Sequence, residues 1–140
     1  MPNIITLYFD GSCEPVNPGG NMGYGTLIKF GDRVLFQNSE CVPAAATNSN
    51  NVAEYMSLVR GLEWLIANKY QNEPIIVRGD SQLVIRQMAG DWRAKGGRYF
   101  SAYKQAVALA AQFTDISFEW IPRAENADAD NLSRSAVPTA

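Results

Sequence analysis

The chain has 140 residues, of which 46% are hydrophobic and 19% charged, with a formal net charge of −2 and an isoelectric point near 5.1. This is the size and composition of one soluble globular domain with a single buried core, and it excludes disordered, fibrous and membrane-spanning classes, since no apolar run approaches the ~20 residues a span requires. Two cysteines, Cys13 and Cys41, in a chain that opens without a secretory leader are expected to be free thiols, with the cytoplasm as the compartment.

In chain order, residues 4–9 and 24–30 are predicted strands, and Gly31-Asp32 is a two-residue hairpin signal that leads into a third strand over residues 33–42. After the polar stretch TNSNN, residues 52–69 place Val52, Tyr55, Met56, Val59, Leu62, Leu65 and Ile66 at helical spacing. Pro74 opens IIV, a β-branched run suited to a strand buried on both faces. GDSQ leads into a helix beginning near Ser81, which Gly90 ends or weakens. Beyond Gly96-Gly97, residues 99–113 form another helix, residues 116–121 a fifth strand closed by Pro122, and residues 125–136 a last helix. No linker, repeat or low-complexity segment interrupts this order, so residues 1–140 are expected to form one domain. Three strands followed by helix, strand, helices, strand and helix describe an α/β layer: a five-stranded mixed sheet, its first three strands antiparallel and its fourth and fifth parallel to the first, flanked by helices.

Ligands of such sheets gather beyond the carboxyl ends of the strands. Asp10 closes the first predicted strand and Asp80 the fourth, while Glu54 and Asp130 fall in the opening turns of helices. Each has an ordinary structural explanation: a turn for Asp10, a helix cap for Asp80, a capping box with Asn51 for Glu54, and dipole compensation for Asp130, as for its neighbour Asp128. Those explanations leave unaddressed why acids recur at two strand ends and two helix starts that one sheet brings to one rim. Four converging carboxylates repel one another unless a hard divalent cation, for which oxygen ligands are suited, neutralises them. Periodicity also points Glu54 away from the apolar stripe of its helix. The overall charge gives no sign of a nucleic-acid partner. Locally, however, Arg86, Arg93, Lys95, Arg98 and Lys104 face a lone Asp91, with Trp92, Tyr99, Phe100 and Tyr103 interleaved. Such a segment is either a phosphate- and base-contacting surface or a solvated helix face whose aromatics are core.

The stretches YFDGSCEPVNPGG, NSNNVAEYMSLVRGLEWL, VRGDSQLVIRQM and IPRAENADADNLSRSA, in this order, resemble the motif blocks of type 1 ribonuclease H, in its single-domain prokaryotic form without a basic protrusion. The resemblance covers nearly the whole chain. It implies the ribonuclease H-like fold and hydrolysis of the RNA strand of RNA/DNA hybrids by two Mg²⁺ ions, with Mn²⁺ as a possible substitute, leaving 5′-phosphate and 3′-hydroxyl ends. It carries the catalytic and metal-binding roles onto Asp10, Glu54, Asp80 and Asp130. Asp130 is preferred to Asp128 because Asn126 stands four residues before it and Ala129 directly before it. Asp10 is expected to bridge both ions, Asp130 to complete the water-activating side, and Glu54 with Asp80 the side of the departing 3′ oxygen. The absence of histidine agrees with a route that needs no Ser–His or Cys–His nucleophile.

By the same resemblance, Ser12, Cys13, Asn50, Asn51 and Gln82 line a surface that reads the 2′-hydroxyl, and Gly11 allows close approach of the nucleic-acid backbone. Asn17 and Ser49 hold a phosphate of the DNA strand, and Trp92, Arg93 and Lys95 give a further DNA contact. A monomer is expected, with the hybrid as partner and no membrane. The sequence departs from the family in three places. Arg123, Ala124 and Glu125 occupy the loop where many relatives carry a histidine, the segment from Asp91 to Gly97 leaves little room for a basic protrusion, and the first loop is a residue longer around Glu14-Pro15-Val16. Other readings of the same fold are a module that grips hybrids or structured RNA without cutting, and a transposase-like or resolvase-like nuclease acting on DNA, which usually brings extra domains.

Overall fold

The computed structural model of the chain describes residues 4–136. β1 (Ile5–Glu14), β2 (Asn21–Phe30) and β3 (Arg33–Val42) form an antiparallel meander, after which α1 (Asn50–Ala67) crosses to β4 (Ile75–Gly79). α2 (Gln82–Met88) and α3 (Phe100–Ala110) lead to β5 (Ile116–Trp120), and a 3₁₀ turn over Arg123–Asn126 precedes α4 (Ala127–Ala136). The sheet order is β3-β2-β1-β4-β5, with β4 parallel to β1 and β5 parallel to β4. This is the mixed sheet the sequence predicts.

The ladders of β1 differ in length, and that difference makes the rim. Its parallel pairing with β4 covers only Ile5–Tyr8 against Ile75–Arg78, whereas its antiparallel pairing with β2 continues to Glu14 opposite Asn21. Asp10 therefore lies inside a strand, not at its end as the sequence suggests, but just past the last residue that β4 covers. The glycines at 11, 23 and 25 break the apolar alternation and hide the second half of this hairpin from a pattern-based reading.

One face of the sheet carries the main core. Leu7, Phe9 and Val77 pack with Tyr55, Leu58, Leu62 and Leu65 of α1, Val84 of α2 and Ala106 of α3. Each fully buried leucine contributes on the order of 2 kcal/mol. α1 begins at Asn50, two residues before the predicted start, because the Ser49 hydroxyl accepts from Val52 N at 3.2 Å and caps it. The other face is covered by α4 through Ala129 and Ser133, opposite β1, β2 and β3. β4, expected to be buried on both faces, alternates: Ile75, Val77 and Gly79 are buried while Ile76 and Arg78 are partly exposed. Among the described residues no α-helix covers it on the α4 side, where Arg78 instead pairs with Glu119 at 2.8 Å.

Two glycines set how closely the helices approach. A Cβ on Gly11 would overlap the backbone of Ala53 and Glu54 in α1, and one on Gly25 would overlap Ala129 O and Ser133 N in α4. Gly25 is the ladder partner of Asp10, so both helices close on the sheet at the level of that aspartate. At Gly11 the room left by the missing side chain is taken up by helix α1.

Candidate active site

Asp10, Glu54 and Asp80 each place a carboxylate oxygen within 4.8 Å of the others. Asp10 is supplied by β1, Glu54 by α1 docked on Gly11, and Asp80 by the residue following β4. Asp10 and Glu54 are 6% and 8% exposed, so the charge is held almost out of water. Burial pushes the Asp10 carboxyl up to about 7; Asp80 and Asp130 push the same way, and a 2.9 Å hydrogen bond donated by Ser133 Oγ opposes them. Burial also drives Glu54 well above the usual carboxylate range, with Asp10 and Asp80 adding repulsion and the Gly11 amide partly offsetting it.

The capping explanations for two of these acids do not describe the fold. Ser81, not Asp80, caps α2, its hydroxyl accepting from Val84 N at 3.2 Å. Glu54 lies beyond the first turn of α1, whose cap is Ser49, and its Oε2 is buried without a hydrogen-bond partner. It stands off the apolar stripe, as the periodicity predicts, yet is buried among acids. A carboxylate with an unpartnered buried oxygen, grouped with two further carboxylates, is a hard, oxygen-only donor set, and it fits a divalent cation.

Asp130 stands beside Asp10 on the first turn of α4 but outside the tight trio. Its Oδ1 is held by Arg134 Nε at 2.9 Å and Arg123 Nη2 at 3.6 Å. Asp128, by contrast, lines a separate cleft with Leu27 and Lys29.

Two positioning residues escape the sequence reading. Asn126, 2% exposed, donates its amide to Phe9 O at 2.9 Å and Asp80 Oδ1 at 3.3 Å, joining the acid after β4 to the strand carrying Asp10. Ser133 does the same for Asp10 from α4. Both lie with Ala129 on the buried side of the terminal helical segment. Polar residues at i and i+7 flanking a buried alanine are the signal that could have identified them. Trp120 Nε1 adds a bond to Asp80 O at 3.1 Å.

The remaining residues fall around this cluster. Ser12 keeps a buried hydroxyl with no partner, whereas the buried Cys13 thiol donates to Val16 O at 3.3 Å; Cys41, like Cys13, is free. Asn17 Nδ2 donates to Asn50 Oδ1 at 2.9 Å, and Asn17 Oδ1 accepts from Asn50 N at 3.1 Å. Asn17, Ser49, Asn50 and Asn51 share a groove of about 280 Å³ with Gly97 and Arg98. Gln82 is exposed, its side chain accepting from Arg86 Nε at 3.2 Å. Trp92, Arg93 and Lys95 are exposed on the loop between α2 and α3. The other aromatics of that basic segment serve packing: Tyr99 stacks on Tyr55, Tyr103 meets its edge, and Phe100 stacks on Tyr103.

A family model described as reverse transcriptase-like matches residues 9–136. The bifunctional protein Rv2228c of Mycobacterium tuberculosis is 38% identical over 138 residues, which are 97% of this chain and 36% of that protein. The chain thus spans little more than a third of that relative's length. The amino-terminal RNase H domain of Rv2228c, solved as a fusion with maltose-binding protein, superposes with a TM-score of 0.84 at 36% identity, covering 96% of this chain and 99% of that one. LC11-RNase H1, solved in complex with an RNA/DNA hybrid, gives a TM-score of 0.84 at 31% identity over 95% of this chain and 96% of that one.

Proposed function

Since the chain belongs to the reverse transcriptase-like family of ribonuclease H domains, we propose that it is a divalent-metal-dependent endonuclease that hydrolyses the RNA strand of RNA/DNA hybrids. The observation that carries this reading is the convergence of Asp10, Glu54 and Asp80, with Glu54 Oε2 left unpartnered in a buried setting. A carboxylate trio of this kind has no structural use that offsets its desolvation and mutual repulsion, which a bound cation removes.

Asp10, Glu54, Asp80 and Asp130 would hold two divalent ions, Mg²⁺ or Mn²⁺, which when bound supply charge stabilisation to the attacking and leaving oxygens of an in-line displacement. The chain's own residues prepare that site. Asn126 and Trp120 fix Asp80 from two sides, Ser133 fixes one oxygen of Asp10, and Arg123 with Arg134 orients Asp130. The groove of Asn17, Ser49, Asn50 and Asn51 offers amide and hydroxyl donors to a phosphate of the DNA strand. Gly11, Ser12, Cys13, Asn51 and Gln82 form the surface met by the ribose 2′-hydroxyls, and Trp92, Arg93 and Lys95 extend the DNA contact. The products are a 5′-phosphate and a 3′-hydroxyl. The chain acts as a monomeric single domain in the cytoplasm; among its described residues no helix is long and apolar enough to cross a membrane.

One labelled sequence presented as RNA/DNA hybrid, duplex RNA, single-stranded RNA and duplex DNA, with Mg²⁺, Mn²⁺ or chelator, tests this reading. Cutting confined to the RNA of the hybrid and dependent on the ion is the expected result. Tight binding of the hybrid without cutting under either ion would replace the nuclease with a binding module.

A further inference from the structure

Gln87 is 4% exposed, near the end of α2, and its amide is fully engaged. Oε1 accepts from the Tyr55 hydroxyl at 2.5 Å, while Nε2 donates to the Tyr99 hydroxyl at 3.0 Å and to Arg93 O at 3.4 Å. A buried amide costs free energy unless its groups are paired, so a glutamine here needs a reason that an apolar residue of equal size would not supply. Its partners give that reason. Tyr55 follows Glu54 on α1, Tyr99 precedes α3, and Arg93 belongs to the exposed loop that carries Trp92 and Lys95.

Among the described residues, the loop's other anchors lie at its two ends. At the first, Arg86 Nη1 pairs with Asp91 Oδ2 at 3.5 Å. Asp91 N and Trp92 N both donate to Arg86 O, at 2.8 and 3.1 Å, across a left-handed Gly90, and Arg98 Nε reaches Ala46 O at 3.0 Å. Between those points Gly96 and Gly97 both have positive φ, a conformation that glycine adopts without steric cost. Among the described residues, the partly buried bond from Gln87 to Arg93 O is the side-chain tether within that span.

We propose that Gln87 is a positioning residue that holds the segment carrying Trp92, Arg93 and Lys95 in its strand-contacting conformation before substrate arrives, tying it through Tyr55 to the helix of Glu54. This rests on the hybrid-binding reading above. Binding to a preset loop avoids the ordering cost of a mobile one, so loss of the tether weakens affinity while the chemical step and the set of phosphate contacts in the bound state stay the same.

The test uses Gln87→Met, which keeps volume and removes all three bonds, and Tyr55→Phe, which removes only the anchor, with thermal unfolding confirming that each folds. Hydrogen exchange of residues 92–95 in the free protein is expected to accelerate about tenfold or more in Gln87→Met. Hybrid affinity by anisotropy in chelator and KM should both weaken about tenfold, with kcat within twofold and the salt slope of binding unchanged. Lys95→Ala should do the converse, lowering the salt slope by about one without altering exchange. Unchanged exchange in Gln87→Met, or a fall in kcat at constant KM, overturns the proposal. Accelerated exchange in a protein whose unsubstituted form does not bind hybrid overturns the functional reading instead, and with it the purpose assigned to the tether.

Discussion

Asp10→Asn should make the metal-free protein more stable while abolishing its cleavage of hybrids. The Asp10 carboxyl titrates near 7 in the folded chain against an ordinary value of 3.8, because burial and two neighbouring acids disfavour its charge. A folded-state pKa above the unfolded one means that the folded protein binds the proton more tightly. The stability contributed by that proton is complete below about pH 4 and is lost as the pH rises through about 7. At ~1.4 kcal/mol per unit, the cost to the fold relative to a side chain that never ionises is about 4 kcal/mol at pH 8.5, where folded Asp10 is charged, and about 2 kcal/mol at pH 5, where it takes up a proton on folding. Asparagine is neutral at every pH and can still accept the Ser133 hydrogen bond. In chelator the substituted protein should therefore melt roughly 12 °C above the original at pH 8.5 and about 6 °C above it at pH 5, taking roughly 3 °C per kcal/mol for a chain of this size. Excess Mg²⁺ should raise the melting temperature of the original protein at pH 8.5 and leave Asp10→Asn nearly unmoved, because only the former regains a compensated carboxylate. A substitution that lowers stability at pH 8.5, or a gap that does not change between the two pH values, would refute the view that the cluster is a destabilised charge waiting for a cation.

Three other outcomes follow from the same geometry. Ser133→Ala removes the one neutral donor on Asp10 and should lower stability by about 1–2 kcal/mol at pH 8.5, read by urea unfolding in chelator, with little effect at pH 4, where Asp10 is protonated. Gly25→Ala forces α4 off β2 and should cost about 2 kcal/mol or more, together with most of the cleavage activity, both measurable on one preparation. Asn126→Ala frees Asp80 Oδ1 and exposes the Phe9 carbonyl to an unfilled cavity; activity should fall about 10- to 100-fold and the divalent-ion concentration at half-maximal activity should rise, as a merely structural defect would not require.

The order of elements was legible in the sequence because hydrophobic period and turn residues act locally, and the four acids stood out because each interrupts a local pattern. Their geometry depends on close approaches that leave no periodic trace. The second half of the β1–β2 hairpin is written in glycines, which read as turn, so the strand was predicted to stop where the site begins. Gly11 and Gly25 look like conformational residues and prove to be the contact points on which α1 and α4 bring Glu54 and Ser133 to Asp10. Glu54 was readable as off the apolar stripe, whereas its burial comes from the sheet and could not be inferred from the helix alone. The aromatics among the basic residues divide only in three dimensions: Tyr99 and Tyr103 turn inward onto Tyr55, and Trp92 stays outside. Arg134 meets Asp130 one turn along α4, whereas Arg123 reaches it from a 3₁₀ turn that stands where the sequence predicts a helix from Glu125.

The most direct measurement is the chemistry of the cut ends when a labelled RNA/DNA hybrid is incubated with the protein in Mg²⁺, beside the same reaction in chelator and with Asp10→Asn. The account predicts RNA fragments ending in 3′-hydroxyl and beginning with 5′-phosphate, formed only with the ion and only by the unsubstituted protein. Cutting that persists in chelator, or fragments ending in a 2′,3′-cyclic phosphate, would contradict it, since the first removes the need for an ion at the acid cluster and the second places the attack on the ribose 2′-hydroxyl instead of on water.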